Sequence, residues 1–176
     1  MIQHDYKDLI KLFNDLFELT ENTVLIAGGD EPLYLPQDEI HSANQIIFTH
    51  DYYSSALHEI AHWCIAGQQR RQLRDYGYWY NPNRGSIDDQ QLFEQSEAKP
   101  QALEWIFSVA AGIRFNISAD NLAMNNEASQ TFKTAIYDQT IDYLKHGLPN
   151  RAEQFKQKLL QFYNRAEIFN QSLFFW

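Results

Sequence analysis

Two histidines at helical spacing are the clearest sign of chemistry in this sequence. They stand in the segment His58-Glu59-Ile60-Ala61-His62, a His-Glu-x-x-His pattern. Residues four apart on a helix project from the same face, so both imidazoles can approach a single ion. Imidazole binds zinc, iron, copper and nickel alike, and a third ligand and the open positions decide the reaction. The pattern therefore predicts a metal site without choosing the metal.

Acidic residues farther along the chain offer the third ligand. Glu94, Glu97 and Glu104 follow at a distance that a loop plus the start of the next helix could span. We take Glu97 as the prediction and Glu104 as its alternative. Two histidines and one carboxylate on one side of an ion leave neighbouring positions open, which suits either a zinc-bound hydroxide or an iron ion that takes dioxygen.

Glu59 lies beside the two histidines and need not bind the metal itself. We expect it to orient a bound water, to accept a proton, or to hold a ligand in place. A zinc metallopeptidase would use the same residue as its general base. The motif thus fits two classes of enzyme, and a binding module with incidental histidines is a third hypothesis.

Composition limits the partners and the compartment. The 176 residues, 44% of them hydrophobic, fit one globular domain over residues 1–176. A formal net charge of -9 would repel phosphate backbones, so we expect no direct nucleic-acid binding. We predict a cytoplasmic protein, because the sequence has a single cysteine and no secretory pattern at its N-terminus. We also expect no membrane contact, because no apolar stretch approaches the roughly 20 residues that cross a bilayer.

The periodicity of apolar residues predicts the elements that hold the site. Strands are expected over residues 23–27 and 45–49, with a short edge strand at 33–35, and helices over about 6–17, 54–66, 101–111, 127–144 and 151–163. The histidine pair lies on the helix at 54–66. These elements predict an α+β fold in which a small sheet carries a metal-binding helix and further helices pack around it.

The stretch between the histidines and Glu97 reads as a loop. Residues 76–93 contain a composition typical of turns, and we expect them to cover the site. Pro100 suits the first turn of the following helix. Glu97 would then lie just before that helix or in its distorted first turn.

Several segments together resemble the bacterial elongation factor P hydroxylase family. The resemblance is carried by His58-Glu59-Ile60-Ala61-His62-Trp63-Cys64-Ile65-Ala66-Gly67, Asp75-Tyr76-Gly77-Tyr78-Trp79-Tyr80 and Lys99-Pro100-Gln101-Ala102-Leu103. It also takes in Asp30-Glu31-Pro32-Leu33-Tyr34-Leu35-Pro36 and Ala110-Ala111-Gly112, and so covers roughly residues 1–145, weakening toward the C-terminus.

This resemblance implies a reaction and a partner. The expected activity is hydroxylation of a lysine of elongation factor P that already carries a β-lysyl group, so lysylated elongation factor P is the expected partner. The implied domain is zincin-like, with a non-haem centre in which His58, His62 and Glu97 hold the ion. Fe(II) is the expected metal, and molecular oxygen is the expected co-substrate.

An aromatic cluster follows the metal helix and is the predicted substrate contact. Its members are Tyr76, Tyr78, Trp79 and Tyr80. A modified lysine has a long apolar stem and positive charge, which suits aromatic rings with a carboxylate at the rim. A single ring more often packs in a core, and only the clustering within one loop favours substrate binding.

Overall fold

A computed structural model describes residues 4–75, 87–118 and 128–176, with the backbone alone for 87–91. The described strands are β1 (Thr23–Gly29), β2 (Leu33–Leu35) and β3 (Asn44–Thr49). The described helices are α1 (Tyr6–Glu21), α2 (Tyr53–Ile65), α3 (Ile87–Ala111), α4 (Gln130–His146) and α5 (Asn150–Phe162), with short 3-10 turns at Arg70–Gln72 and Gln171–Leu173. The α+β class with additional packing helices is therefore confirmed.

Within the described residues the sheet has three strands in the order β1-β3-β2. β1 and β3 are parallel with Leu25 opposite Ile46, whereas β2 is antiparallel to β3 with Tyr34 opposite the same Ile46. Leu25, Ile46 and Phe48 are buried, and α1 packs against β1 while α2 packs against β3. The sheet is thus the layer on which the histidine helix rests.

Aromatic rings join the helices around α2. The ring of Phe13 in α1 lies 5.0 Å from that of Trp63 in α2 and 6.2 Å from that of Phe155 in α5. Phe107 of α3 meets Phe155 edge to face at 5.1 Å. Such pairs add to the free energy gained by burying large rings. The histidine helix is therefore held from several sides.

The third helix begins much earlier than the sequence predicted. It runs from Ile87, so the expected loop over residues 76–93 is wrong for its last part, and Pro100 lies inside the helix. Proline lacks the backbone donor of a helix interior and clashes with the preceding turn, and for this reason the sequence predicts a helix start at Pro100. Glu97 consequently lies within α3 and not ahead of it.

The remaining helices begin and end within about one turn of their predicted limits. No helix in the described ranges is both long and apolar enough to cross a membrane. The predicted aromatic cluster, Tyr76, Tyr78, Trp79 and Tyr80, lies outside the described residues.

Candidate metal centre

The two histidines of α2 face a common point. His58 and His62 lie one helical turn apart, and their ring centroids are 4.6 Å apart at an interplanar angle of 70°. The two Nε2 atoms are 3.0 Å from each other. The helical spacing therefore brings the two imidazoles together, with the Nε2 atoms facing each other.

α3 brings a carboxylate to that point. The Oε1 atom of Glu97 lies 3.2 Å from His62 Nε2, and its Oε2 atom lies 3.4 Å from His58 Nε2. One possible ligand atom from each of these three residues lies within 4.8 Å of the others. Glu97 is only 2% exposed, so its charge requires a nearby cation or proton.

The spacing of these atoms fits one bound ion. Two ligands at about 2.1 Å from a metal are about 3.0 Å apart at a right angle and about 3.4 Å apart at the tetrahedral angle. The Nε2–Nε2 distance of 3.0 Å falls in that interval, and so do the 3.2 Å from His62 Nε2 to Glu97 Oε1 and the 3.4 Å from His58 Nε2 to Glu97 Oε2, so both carboxylate oxygens lie near the position of the ion. Two imidazoles and a carboxylate are also the ligand types that divalent zinc and iron accept. The residues present therefore suit a divalent ion.

Glu104 lies on the other edge of the His58 ring. Its Oε2 atom is 2.8 Å from His58 Nδ1. The two nitrogens of an imidazole point in diverging directions, so one ion cannot take both. Glu104 therefore does not share the point where the two Nε2 atoms meet, and the geometry favours Glu97 over Glu104 as the third ligand.

Charge and burial shift the pKa values of the site. Burial alone would lower the pKa of His58, but the hydrogen bond and charge of Glu104, with the charges of Glu97 and Glu59, outweigh it and raise the pKa to about 10. Burial would raise the pKa of Glu97, yet His62, His58 and Gln101 lower it to about 2. Without a metal the site thus favours a carboxylate beside an imidazolium, a charge pair that a cation can replace.

Glu59 is buried next to the histidines and lines a neighbouring pocket. It is 9% exposed, and burial raises its pKa while the imidazoles of His58 and His62 oppose that shift. Together with His62 it lines a pocket between α2, the sheet and the turn at Arg70–Gln72. A carboxylate with a raised pKa at the edge of a pocket can exchange a proton with what occupies it.

The pocket has apolar walls and paired charges. Tyr34 and Ile46 of the sheet and Trp63 of α2 form its walls, and Asp75 lies at its edge. Asp75 forms an ion pair with Arg70, and the Tyr34 and Asp75 backbones bond to each other at 2.7 and 3.0 Å. The pocket is therefore bounded by the residue that immediately precedes the predicted aromatic cluster.

Gln101 supports Glu97 in a way that the sequence did not reveal. It is fully buried, its Nε2 donates to the Ser118 carbonyl at 2.8 Å, and its Oε1 accepts from the Ser118 N–H at 3.2 Å. The same Nε2 lies 3.5 Å from Glu97 Oε2. Glu97, Gln101 and Glu104 share one face of α3 at helical spacing, a pattern that could have indicated a buried polar seam.

Arg151 of α5 is a second residue that sequence reasoning missed. Its Nη2 donates to the carbonyls of Trp63, Cys64 and Ala66 at 2.9, 3.2 and 2.7 Å. These carbonyls lie at the C-terminal end of α2, where they have no N–H partner within the helix and where positive charge is favourable. α5 therefore fixes the end of the histidine helix.

Comparison with known proteins connects this site with a family. The family model described as "Elongation factor P hydroxylase" matches residues 12–173. The chain belongs to the elongation factor P hydroxylase family. A relative named "Elongation factor P lysine hydroxylase" from Haemophilus influenzae is 49% identical over 173 residues, which are 98% of this chain and 97% of the relative.

Family membership extends farther along the chain than the motifs indicated. The motifs weakened after about residue 145, whereas the family match continues to residue 173 and includes α5. Arg151, which closes the end of α2, thus lies within the matched segment. The C-terminal helices belong to the family's domain.

Proposed function

We propose that this protein hydroxylates the β-lysylated lysine of elongation factor P at a non-haem metal centre held by His58, His62 and Glu97. The single observation that carries the proposal is the meeting of these three side chains within 4.8 Å, in a chain that belongs to a hydroxylase family. A 2-His-1-carboxylate set with open positions is typical of non-haem Fe(II) oxygenases. Fe(II) is therefore the proposed metal and molecular oxygen the proposed co-substrate.

The chemistry divides between the ion and the chain. A bound Fe(II) would supply the reaction with molecular oxygen: one oxygen atom would enter an unactivated C–H bond, and two electrons from an external reductant with two protons would reduce the other oxygen atom to water. The three side chains would hold the ion, and the pocket that His62 lines would receive the substrate. Glu59 orients a water or accepts a proton there, because it lines the pocket next to His62.

The pocket suits the proposed substrate. A lysylated lysine has a long apolar stem with amines, and such a group favours aromatic and aliphatic walls with carboxylates nearby. Tyr34, Ile46 and Trp63 provide the walls, and Glu59 provides a carboxylate. Asp75 is paired with Arg70, which lines the same pocket together with Arg71. Tyr76, Tyr78, Trp79 and Tyr80 follow Asp75 directly in the sequence and stay the predicted additional substrate contacts.

The same proposal covers architecture and location. We assign the chain to one zincin-like domain over residues 1–176, because a His-Glu-x-x-His helix lies on a small sheet with an edge strand beside the site. A protein that modifies a translation factor would act in the cytoplasm, with lysylated elongation factor P as its partner.

Mass spectrometry tests the proposed reaction directly. The Fe(II)-loaded protein is incubated under air, with a reductant, with lysylated elongation factor P and, in parallel, with unmodified elongation factor P. We expect one added oxygen atom on the modified lysine alone, and none with a His58→Ala variant. No mass change with the Fe(II)-loaded wild-type protein, or equal oxidation by the His58→Ala variant, would contradict the proposal.

A zinc metallopeptidase is the alternative prediction for the same ligand set, with Glu59 as the general base. Metal content after anaerobic purification separates the two functions. Iron supports the hydroxylase, and zinc together with cleavage of a peptide substrate supports the peptidase.

A further inference from the structure

Glu104 is a buried carboxylate of α3. It is 5% exposed and lies between Leu103 and Trp105, which are also buried. An ionised carboxylate is costly to bury unless it is hydrogen-bonded. Its Oε2 atom lies 2.8 Å from Nδ1 of His58. The cost of burying Glu104 is therefore offset at one specific atom of the proposed metal site.

That contact determines which nitrogen of His58 carries a proton. A carboxylate accepts hydrogen bonds and does not donate them, so Nδ1 must be the donor. In the neutral ring the lone pair is then on Nε2. Nε2 is the atom that lies 3.0 Å from His62 Nε2 and 3.4 Å from Glu97 Oε2.

We propose that Glu104 is a positioning residue: by accepting the Nδ1 hydrogen bond it holds His58 in the tautomer and ring rotation that present Nε2 to a divalent cation. The inference rests on the metal site of the proposed function and extends it to a residue that does not touch the ion. Hydrogen-bond partners of this kind typically contribute about 10–100-fold to metal affinity.

The two histidines differ in this respect. His62 Nδ1 has no hydrogen-bond partner among the residues that the structure describes, and its contacts there are made by Nε2 and the ring. His58 is thus the histidine whose orientation is fixed through a side-chain acceptor. Loss of Glu104 should free that ring to rotate or to place its proton on Nε2, and either change removes a ligand.

Two substitutions separate orientation from charge and from packing. Glu104→Gln keeps an oxygen acceptor at the same length and loses the negative charge, while Glu104→Leu keeps much of the volume and loses the acceptor. Glu94→Gln is the matched control, because Glu94 lies on the same helix but accepts from Ser129 Oγ at 3.0 Å. It removes a carboxylate from α3 without contact with His58.

The test is titration of the full chain with Co(II) alone, followed by visible absorption. We expect Glu104→Leu to bind Co(II) about 10–100-fold more weakly with an altered spectrum, Glu104→Gln to recover most of the affinity and the native spectrum, and Glu94→Gln to match wild type. Circular dichroism of each variant without metal reports whether it is folded. If Glu104→Leu does not fold, Glu104→Met, which also lacks the acceptor and keeps the unbranched shape, replaces it in the same titration.

Three results would overturn the inference. They are native Co(II) affinity and spectrum in folded Glu104→Leu, a loss in Glu104→Gln as large as in Glu104→Leu, and a wild-type protein that binds no Co(II). The Co(II) titration does not depend on turnover, so the two proposals can fail separately. If wild type shows the expected Co(II) pattern but adds no oxygen to lysylated elongation factor P, the proposed function is refuted and the role of Glu104 is not.

Discussion

The guanidinium of Arg151 lies 4.5 Å above the ring of Trp63 and donates to the Trp63 backbone carbonyl at 2.9 Å. One side chain of α5 thereby contacts both the face and the backbone of the residue that follows His62. It also reaches the Ala66 carbonyl at 2.7 Å. The position of the metal helix therefore depends on a residue far along the chain.

Replacement of Arg151 should destabilise the fold through the end of α2. Arg151→Ala leaves the terminal carbonyls of α2 without their charged donor, which should cost about 3 kcal/mol and lower Tm by roughly 6–12 °C. Arg151→Lys keeps the charge but reaches fewer carbonyls, so about half that loss is expected. Thermal and urea unfolding measure both.

The control is Lys11→Ala, which breaks an exposed pair with Asp15 at 2.6 Å. Exposed pairs contribute little, so we expect an unfolding free energy close to that of wild type. A loss for Arg151→Ala no larger than that for Lys11→Ala would show that the contact does not stabilise α2.

Replacement of Glu59 should separate metal binding from turnover. Glu59 lines the pocket beside His62, and it is not one of the residues grouped as ligands. Glu59→Gln keeps the shape but cannot accept a proton, so we expect near-normal iron content and a loss of kcat of about 100-fold or more. Metal analysis and turnover of lysylated elongation factor P are measured on the same preparation. Full activity in this variant would remove Glu59 from the chemistry.

The metal-free protein should be less stable in alkali because of His58. Its folded pKa of about 10 exceeds the ordinary 6.5. A raised pKa contributes stability that is complete below pH 6.5 and is lost as the pH rises through 10. Unfolding free energies of wild type and His58→Gln, measured in chelator, should therefore differ more at about pH 6 than at about pH 9. An equal difference at both pH values would contradict the charge pair with Glu104.

The contribution of Glu97 to stability has the opposite pH dependence. Its pKa of about 2 lies below the ordinary 4.5, so its contribution is present above pH 4.5 and is lost as the pH falls toward 2. The contribution of the contact between His58 and Glu97 to stability is thus complete only between about pH 4.5 and 6.5. The comparison at about pH 6 lies inside that interval.

The sequence was sufficient for the elements that carry the histidines. His58 and His62 lie one turn apart in a segment with clear helical periodicity, and that local rule holds in the structure. Glu97 was found from residue type and distance along the chain, yet its place inside α3 was missed. The local preference of proline predicts a helix start at Pro100, whereas the helix continues through it with Phe93 and Glu97 buried on its earlier turns.

Contacts between distant elements could not be read from the sequence. The roles of Glu104, Gln101 and Arg151 depend on how α3 and α5 pack on α2, and no local pattern gives that packing. Glu104 was considered only as an alternative ligand, since a one-dimensional sequence does not show on which edge of an imidazole a carboxylate lies. The spacing of Glu97, Gln101 and Glu104 along one helix face was the available signal.

Metal stoichiometry tests the central claim most directly. Wild-type protein and the single variants His58→Ala, His62→Ala and Glu97→Ala are purified without oxygen, dialysed against Fe(II) and analysed for metal per folded chain. We predict about one ion per chain for wild type and for Glu94→Gln, and loss of nearly all of it in each of the three variants. Variants that retain wild-type stoichiometry, or a wild-type protein that holds no metal, would contradict the account.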